Sequence, residues 1–160
     1  MIKITRTNSD DKDFIELVNN LDADLAKRDG DDHSFYAQFN NIDKIKCVVL
    51  VFENGKAVSC GGIKEYTSGT MEVKRMYTLP ECRGMGFATL VLRELEIWAD
   101  ELCCKKCILE TGKRQPEAIA LYQKNGYNII PNYGQYAEME NSMCFEKIFI
   151  LMLINAQVFI

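Results

Sequence analysis

A strand-like run that stops at Pro80 and a helix-like run that starts at Phe87 leave only six residues between them, and two of those are Gly84 and Gly86. So short a strand-to-helix junction constrains the fold more than any other segment. It forces the end of a strand and the start of a helix to lie side by side, the arrangement of helices packed on a sheet. The first N–H groups of a helix have no partner within it, and the aligned peptide dipoles add partial positive charge there. Gly84 and Gly86 clear side chains from the approach, Ala88 keeps the first turn narrow, and Arg83 adds a cation. Arg83-Gly84-Met85-Gly86-Phe87-Ala88 is therefore a candidate anion cradle. No Lys-Ser/Thr pair follows its second glycine, so it is not a Walker loop. Nor does it follow the first strand, where a dinucleotide fingerprint stands.

The rest of the chain is punctuated in the same way. Met1 to Arg6 reads as a first strand. Phe14, Leu17, Val18, Leu21 and Leu25 recur at helical spacing, with Ser9 as the candidate cap, Asp10 and Asp11 in the first turn, and Gly30 as the stop. A second, short helix holds Phe35 and Phe39. Cys47 to Phe52 is apolar and β-branched, and Asn54-Gly55 signals a two-residue hairpin into a strand over Ala57 to Tyr66. Gly61-Gly62 inside that strand points to a bulge or a close backbone approach. After a turn near Ser68-Gly69, Met71 to Leu79 forms the third strand of the meander. The helix from Phe87 to Leu102 buries Val91, Leu95, Trp98, Ala99 and Leu102. Cys107 to Glu110 is a short strand, Pro116 opens another helix, Asn125-Gly126 closes it, and Tyr127 to Ile130 and Met143 to Phe149 are the last strands. The order is β-α-α-β-β-β-α-β-α-β-β.

A chain of 160 residues suits one domain, expected over 1–150, and no repeat or linker divides it. The net charge of -4 argues against a nucleic-acid partner. The seven cysteines, odd in number and scattered, read as reduced thiols of a cytoplasmic protein. Cys104 and Cys107 have C-x-x-C spacing, yet the only histidine is His33, in an Asp-rich turn, so no metal site is expected. Ile148 to Ile154 and the tail to Ile160 are apolar but short of the ~20 residues a membrane span needs. The tail over 151–160 is expected to extend the sheet or seek a partner surface, a homodimer included.

Three blocks together resemble the GNAT superfamily of N-acetyltransferases. Arg83 to Ala88 after a strand ending in Pro80 is similar to that family's pyrophosphate loop. Met71-Glu72-Val73-Lys74-Arg75-Met76-Tyr77-Thr78-Leu79-Pro80 resembles its central strand, and Ala118 to Tyr127 its late helix and the following strand. The match in order and spacing runs from about Lys46 to Lys147. The resemblance implies a fold of α/β (α+β) class: the GNAT fold, a single mixed, mostly antiparallel central sheet flanked by helices. It implies acetyl-CoA as co-substrate, gripped by Arg83, Gly84, Met85, Gly86, Phe87 and Ala88. Met76, Tyr77 and Thr78 would offer backbone groups to the pantetheine arm, and Gln115 stands where many relatives carry Asn.

Acetyl transfer to an amine needs the thioester beside the nucleophile, loss of a proton from an ammonium of pKa about 10, donors for charge developing on the carbonyl oxygen, and a proton for the leaving thiolate. The resemblance casts Glu72 as the base, acting through water, and Tyr122 as the acid facing the sulfur. Asn132 to Tyr136 would wall the acceptor pocket. The expected activity is direct transfer of acetyl from acetyl-CoA to a primary amine on a small molecule or a protein. The other reading is a non-catalytic acyl-CoA-binding sensor, which would keep the loop and lose the acid and base.

Overall fold

Strand β1 (Ile2–Thr7) leads into helix α1 (Lys12–Asp29) through a tight turn. In this computed structural model, which describes residues 1–39, 41–42 and 45–149, Asp11 caps that helix rather than Ser9. Its Oδ1 accepts the backbone N–H groups of Asp13 at 2.9 Å and Phe14 at 3.4 Å. A carboxylate serves two orphan donors and opposes the positive end of the dipole, which fixes the start at Lys12. Ser9 instead donates its N–H to the Ile45 carbonyl. Gly30, at φ 55°, stops α1, and a turn of 3₁₀ helix runs into α2 (His33–Ala37). Phe39 falls just past α2, and its ring packs on Phe35. His33 begins α2 and is no free loop residue: its Nδ1 is buried, 3.9 Å from Asp29 Oδ2.

The sheet is laid down as β2 (Cys47–Glu53), β3 (Lys56–Thr67) and β4 (Thr70–Thr78), then α3 (Phe87–Glu101), β5 (Lys106–Gly112), α4 (Pro116–Lys124), β6 (Asn128–Ile130) and β7 (Ser142–Ile148). Its seven strands stand in the order β1-β2-β3-β4-β5-β7-β6. Every neighbouring pair is antiparallel except β4 and β5. Asn54 and Gly55 take left-handed φ of 49° and 84°, the backbone a two-residue hairpin requires.

The uninterrupted apolar run of β2 is explained by cover on both faces. Val48 and Leu50 pack against Phe14, Leu17 and Leu21 of α1. Val49 and Val51 pack into the larger core with Val91, Leu92 and Leu95 of α3. Leu102 does not join that stripe; it follows the last turn of α3 and is 48% exposed.

Gly61 lets α3 lie close to one face of the sheet, and Gly62 admits Ile45 on the other. A Cβ on Gly61 would stand 2.3 Å from Met76 Sδ and 2.9 Å from Val91 Cγ1, and one on Gly62 would stand 2.6 Å from Ile45 Cγ2. Opposite them β4 carries one extra residue: Cys60 pairs with Tyr77 and Gly62 with Lys74. Arg75 adopts φ 59° at this bulge. The bulge reverses the alternation of β4. Met71 and Val73 face the α3 core, and so does Met76, three residues further on. Arg75 is thereby freed to pair with Asp22 of α1. The apolar segment over 151–160 lies outside the described residues.

Candidate active site

Strands β4 and β5 run parallel but pair only at Thr70–Lys106, Met71–Cys107 and Glu72–Ile108. Beyond Glu72 they part, β4 staying with β3 and β5 with β7. The gap is a cleft of about 440 Å³. It exposes the unpaired edge of β4 from Val73 to Thr78, which a ligand with amide groups can extend as an added strand. Met76, Tyr77 and Thr78 all line it.

At one end of the cleft is the start of α3. Gly86 is its N-cap residue, left-handed at φ 85°, and no side chain caps the helix. A Cβ on Gly84 or Gly86 would meet nothing within 4 Å. The loop is thus shaped by backbone need and left open to solvent, with the first N–H groups of α3 free of any side-chain acceptor. Arg83, Gly84, Gly86, Phe87 and Ala88 line the cleft, whereas the Met85 side chain is 57% exposed and lies outside the lining. Arg83 is held rather than free. Its Nε donates to the Thr78 carbonyl at 2.9 Å, its Nη2 lies 3.3 Å from Asp24 Oδ2, and its guanidinium sits 5.5 Å above the Tyr77 ring.

The other end is built from carboxylates and tyrosines. Glu72 is 6% exposed. Its Oε2 accepts the Tyr133 hydroxyl at 2.5 Å, and its Oε1 is 3.5 Å from Lys74 Nζ. Alternation puts Glu72 and Lys74 on the face opposite Val73, away from α3. Glu110 of β5, which sequence reasoning treated only as a strand end, lines the same cleft. Burial pushes its carboxyl up to about 7; the Ser142 hydroxyl and Lys74 oppose that, and the charges of Asp29 and Glu72 add to it. The signal was present in the sequence, because Cys107 and Leu109 face the core and so turn Ile108 and Glu110 to the cleft side. Asp29, Tyr36 and Tyr136 also line this end, and burial raises the Asp29 carboxyl above its usual range.

Tyr122 also lines the cleft, 5% exposed, with its ring against Tyr127 and Phe145. Burial, then the Glu110 charge, pushes its phenol well above the usual range, so it is a proton donor at any neutral pH. Gln115 occupies the N-cap position of α4 without capping it and lines the cleft. Among the described residues no cluster of three His, Cys, Asp or Glu side chains is placed to hold a metal ion. No helix among them is long and apolar enough to cross a membrane.

A family model, that of the acetyltransferase (GNAT) family, matches residues 14–127, from the first buried residue of α1 to the residue just ahead of β6. The chain belongs to the GNAT acetyltransferase family. This acetyltransferase is 30% identical over 135 residues to the IAA acetyltransferase of Azospirillum brasilense, spanning 83% of this chain and 88% of that protein. Its fold matches a structure from Klebsiella pneumoniae assigned as an acyl-CoA N-acyltransferase, with TM-score 0.78, 32% identity and cover of 94% of this chain and 99% of that one. The PaiA N-acetyltransferase of Thermoplasma acidophilum, solved in complex with coenzyme A, shares the fold at TM-score 0.70 and 16% identity, over 93% of this chain and 99% of that one. The GNAT fold expected from the sequence is the fold observed, with its splayed β4–β5 pair and its loop before α3.

Proposed function

We propose that this GNAT enzyme transfers the acetyl group of acetyl-CoA directly to a primary amine held at the carboxylate end of the cleft. The observation that carries the reading is one cleft joining an uncapped helix N-terminus to buried proton-handling groups. The residues present suit the donor: Arg83, Gly84, Gly86, Phe87 and Ala88 are disposed for its pyrophosphate, and the free β4 edge at Met76, Tyr77 and Thr78 for its pantetheine amides. Gln115 borders the same channel. When bound, acetyl-CoA supplies the activated thioester carbonyl.

The chain's own residues then account for the protons. An amine enters mostly as ammonium, with a pKa of about 10, and the carboxylates Asp29, Glu72 and Glu110 favour that charge at the acceptor end. Glu72 and Glu110 form the accepting pair. Glu110, held up to about 7, is matched to proton acceptance at neutral pH. Glu72 is fixed by Tyr133 and Lys74. The unpaired N–H groups of the β4 edge are the donors available to a developing oxyanion. Tyr122 gives the leaving thiolate its proton.

Release of free thiol from acetyl-CoA across a panel of amines tests this reading. Turnover with primary amines is the expected result. Tight acetyl-CoA binding without turnover on any amine would instead make the chain a sensor of the cofactor.

A further inference from the structure

The group behind Glu72 is as well built as the cleft in front of it. Tyr133, in the connection from β6 to β7, donates its hydroxyl to Glu72 Oε2 at 2.5 Å. Glu72 lines the cleft and Tyr133 does not, so the phenol meets the carboxylate from outside the substrate space. The contact is charge-assisted and short, the kind that fixes orientation. Burial first, and then the charge and hydrogen bond of Glu72, push the Tyr133 phenol far above its usual range. At neutral pH it is therefore protonated and donates to Glu72.

Two ring contacts hold Tyr133 itself, and the residues around it are tied down in turn. Its ring packs edge-on against Tyr66 of β3 at 5.2 Å and against Tyr136 at 5.8 Å. Tyr136 stacks on Tyr36 of α2 at 6.4 Å, and Tyr36 is tied to Ser142 by a 2.9 Å hydrogen bond. The Asn132 side chain donates to the Met139 carbonyl at 3.0 Å and the Ser142 carbonyl at 3.1 Å, pinning both ends of the loop. Gly134, at φ 53°, leaves room for Tyr66: a Cβ there would stand 3.0 Å from its hydroxyl. The loop is thus a brace anchored on β3, α2 and β7, with one polar arm reaching Glu72.

We infer that Tyr133 is a positioning residue for acetyl transfer, holding the Glu72 carboxylate in place while taking no part in the chemistry and touching no substrate. The inference rests on the reading that Glu72 belongs to the proton-accepting pair. A carboxylate released from this brace would still be present but misplaced, and misplacement by about 1 Å can cost on the order of a hundredfold in rate.

A double-substitution cycle tests it. Tyr133→Phe keeps the ring and its packing and removes only the donor. It should lower kcat/KM for the amine by at least about tenfold while leaving KM for acetyl-CoA unchanged. In a Glu72→Gln background the same change should cost less than about twofold, because the group it serves is already gone. Losses that multiply in that background would overturn the inference, as would a wild-type rate for Tyr133→Phe or for Glu72→Gln alone. The second readout needs no turnover: the ¹³Cζ-tyrosine NMR shift at neutral pH, with Tyr133 assigned by its absence in Tyr133→Phe. The groups facing the phenol are Glu72, Tyr136 and Cys144. Glu72→Gln replaces a charged acceptor by a neutral one and should move the Tyr133 ¹³Cζ resonance, and an unmoved resonance would overturn the contact. If no amine is turned over by the unaltered enzyme yet that NMR coupling is present, the transfer reading fails and the brace on Glu72 stands.

Discussion

Glu110 and Tyr122 show how one side chain's surroundings set its role. Both border the cleft, and burial acts on each in the same direction, toward the protonated form. For the tyrosine this yields a phenol that keeps its proton at neutral pH and, in the proposed transfer, gives it to the thiolate as that leaves the carbonyl. For the glutamate it yields a carboxyl poised at about 7. Tyr122→Phe should lower turnover on the order of a hundredfold with acetyl-CoA affinity unchanged, since in the proposed transfer the hydroxyl acts only as sulfur becomes thiolate. A stable variant with normal affinity and a near-normal rate would remove Tyr122 from the mechanism. Glu110 carries a stability cost with a definite sign. Its carboxyl is raised from 4.5 to about 7 in the folded protein, so the folded state binds the proton more tightly than the unfolded chain within that window. Stability from this group therefore falls as pH rises through the window and stays lost above it. Glu110→Gln should raise the melting temperature near pH 8 by roughly 2–6 °C, worth about 1–2 kcal/mol, and leave it unchanged near pH 4. Thermal melts at the two pH values check the sign. The alternation of β5 already turned Glu110 away from the core stripe, but a strand-end glutamate looks solvated until the parting of β4 and β5 is known.

At the scale of elements, the functional geometry depends on a bulge and two glycines. Gly61-Gly62 was legible as a close approach, but what approaches was not. It is α3 on one face, through Val91 and Leu95, and Ile45 on the other. Gly61→Ala would push on Val91 Cγ1 at 2.9 Å as well as on the flexible Met76 sulfur. It should cost about 1–3 kcal/mol by overpacking, and it should weaken acetyl-CoA binding because Met76 and the start of α3 shift together. Melting curves and calorimetry on the one variant read both effects, and an unchanged melting temperature would contradict the packing described. Helix α1 was legible from its apolar spacing, yet its cap was not: Asp11 outcompetes Ser9 because its carboxylate accepts from two N–H groups at once. Leu102 fits the apolar period of α3 but follows its end, so periodicity alone placed it inside when it is half exposed.

Across the whole molecule, the order of elements and the loop before α3 were readable because turns, glycines and helix starts are local chemistry. The carboxylate end of the cleft was not, since it is assembled from distant pieces: Asp29 at the end of α1, Tyr36 of α2, Glu72 of β4, Glu110 of β5 and Tyr136 near β7. Only the alternation of each strand and the final register decide which of these side chains meet. The central claim is that a single cleft both grips the acetyl donor at the start of α3 and takes the amine's proton at its far end. The most direct test is steady-state thiol release from acetyl-CoA with a primary amine, by the unaltered enzyme, Gly86→Glu and Glu110→Gln. Gly86→Glu sets a side chain and a negative charge on the left-handed N-cap residue of α3, the proposed pyrophosphate site, and should raise KM for acetyl-CoA at least about tenfold. Glu110→Gln should leave that KM in place, lower kcat/KM for the amine by roughly a hundredfold and abolish its rise with pH through about 7. Wild-type KM in the first variant together with a wild-type pH profile in the second would contradict the account.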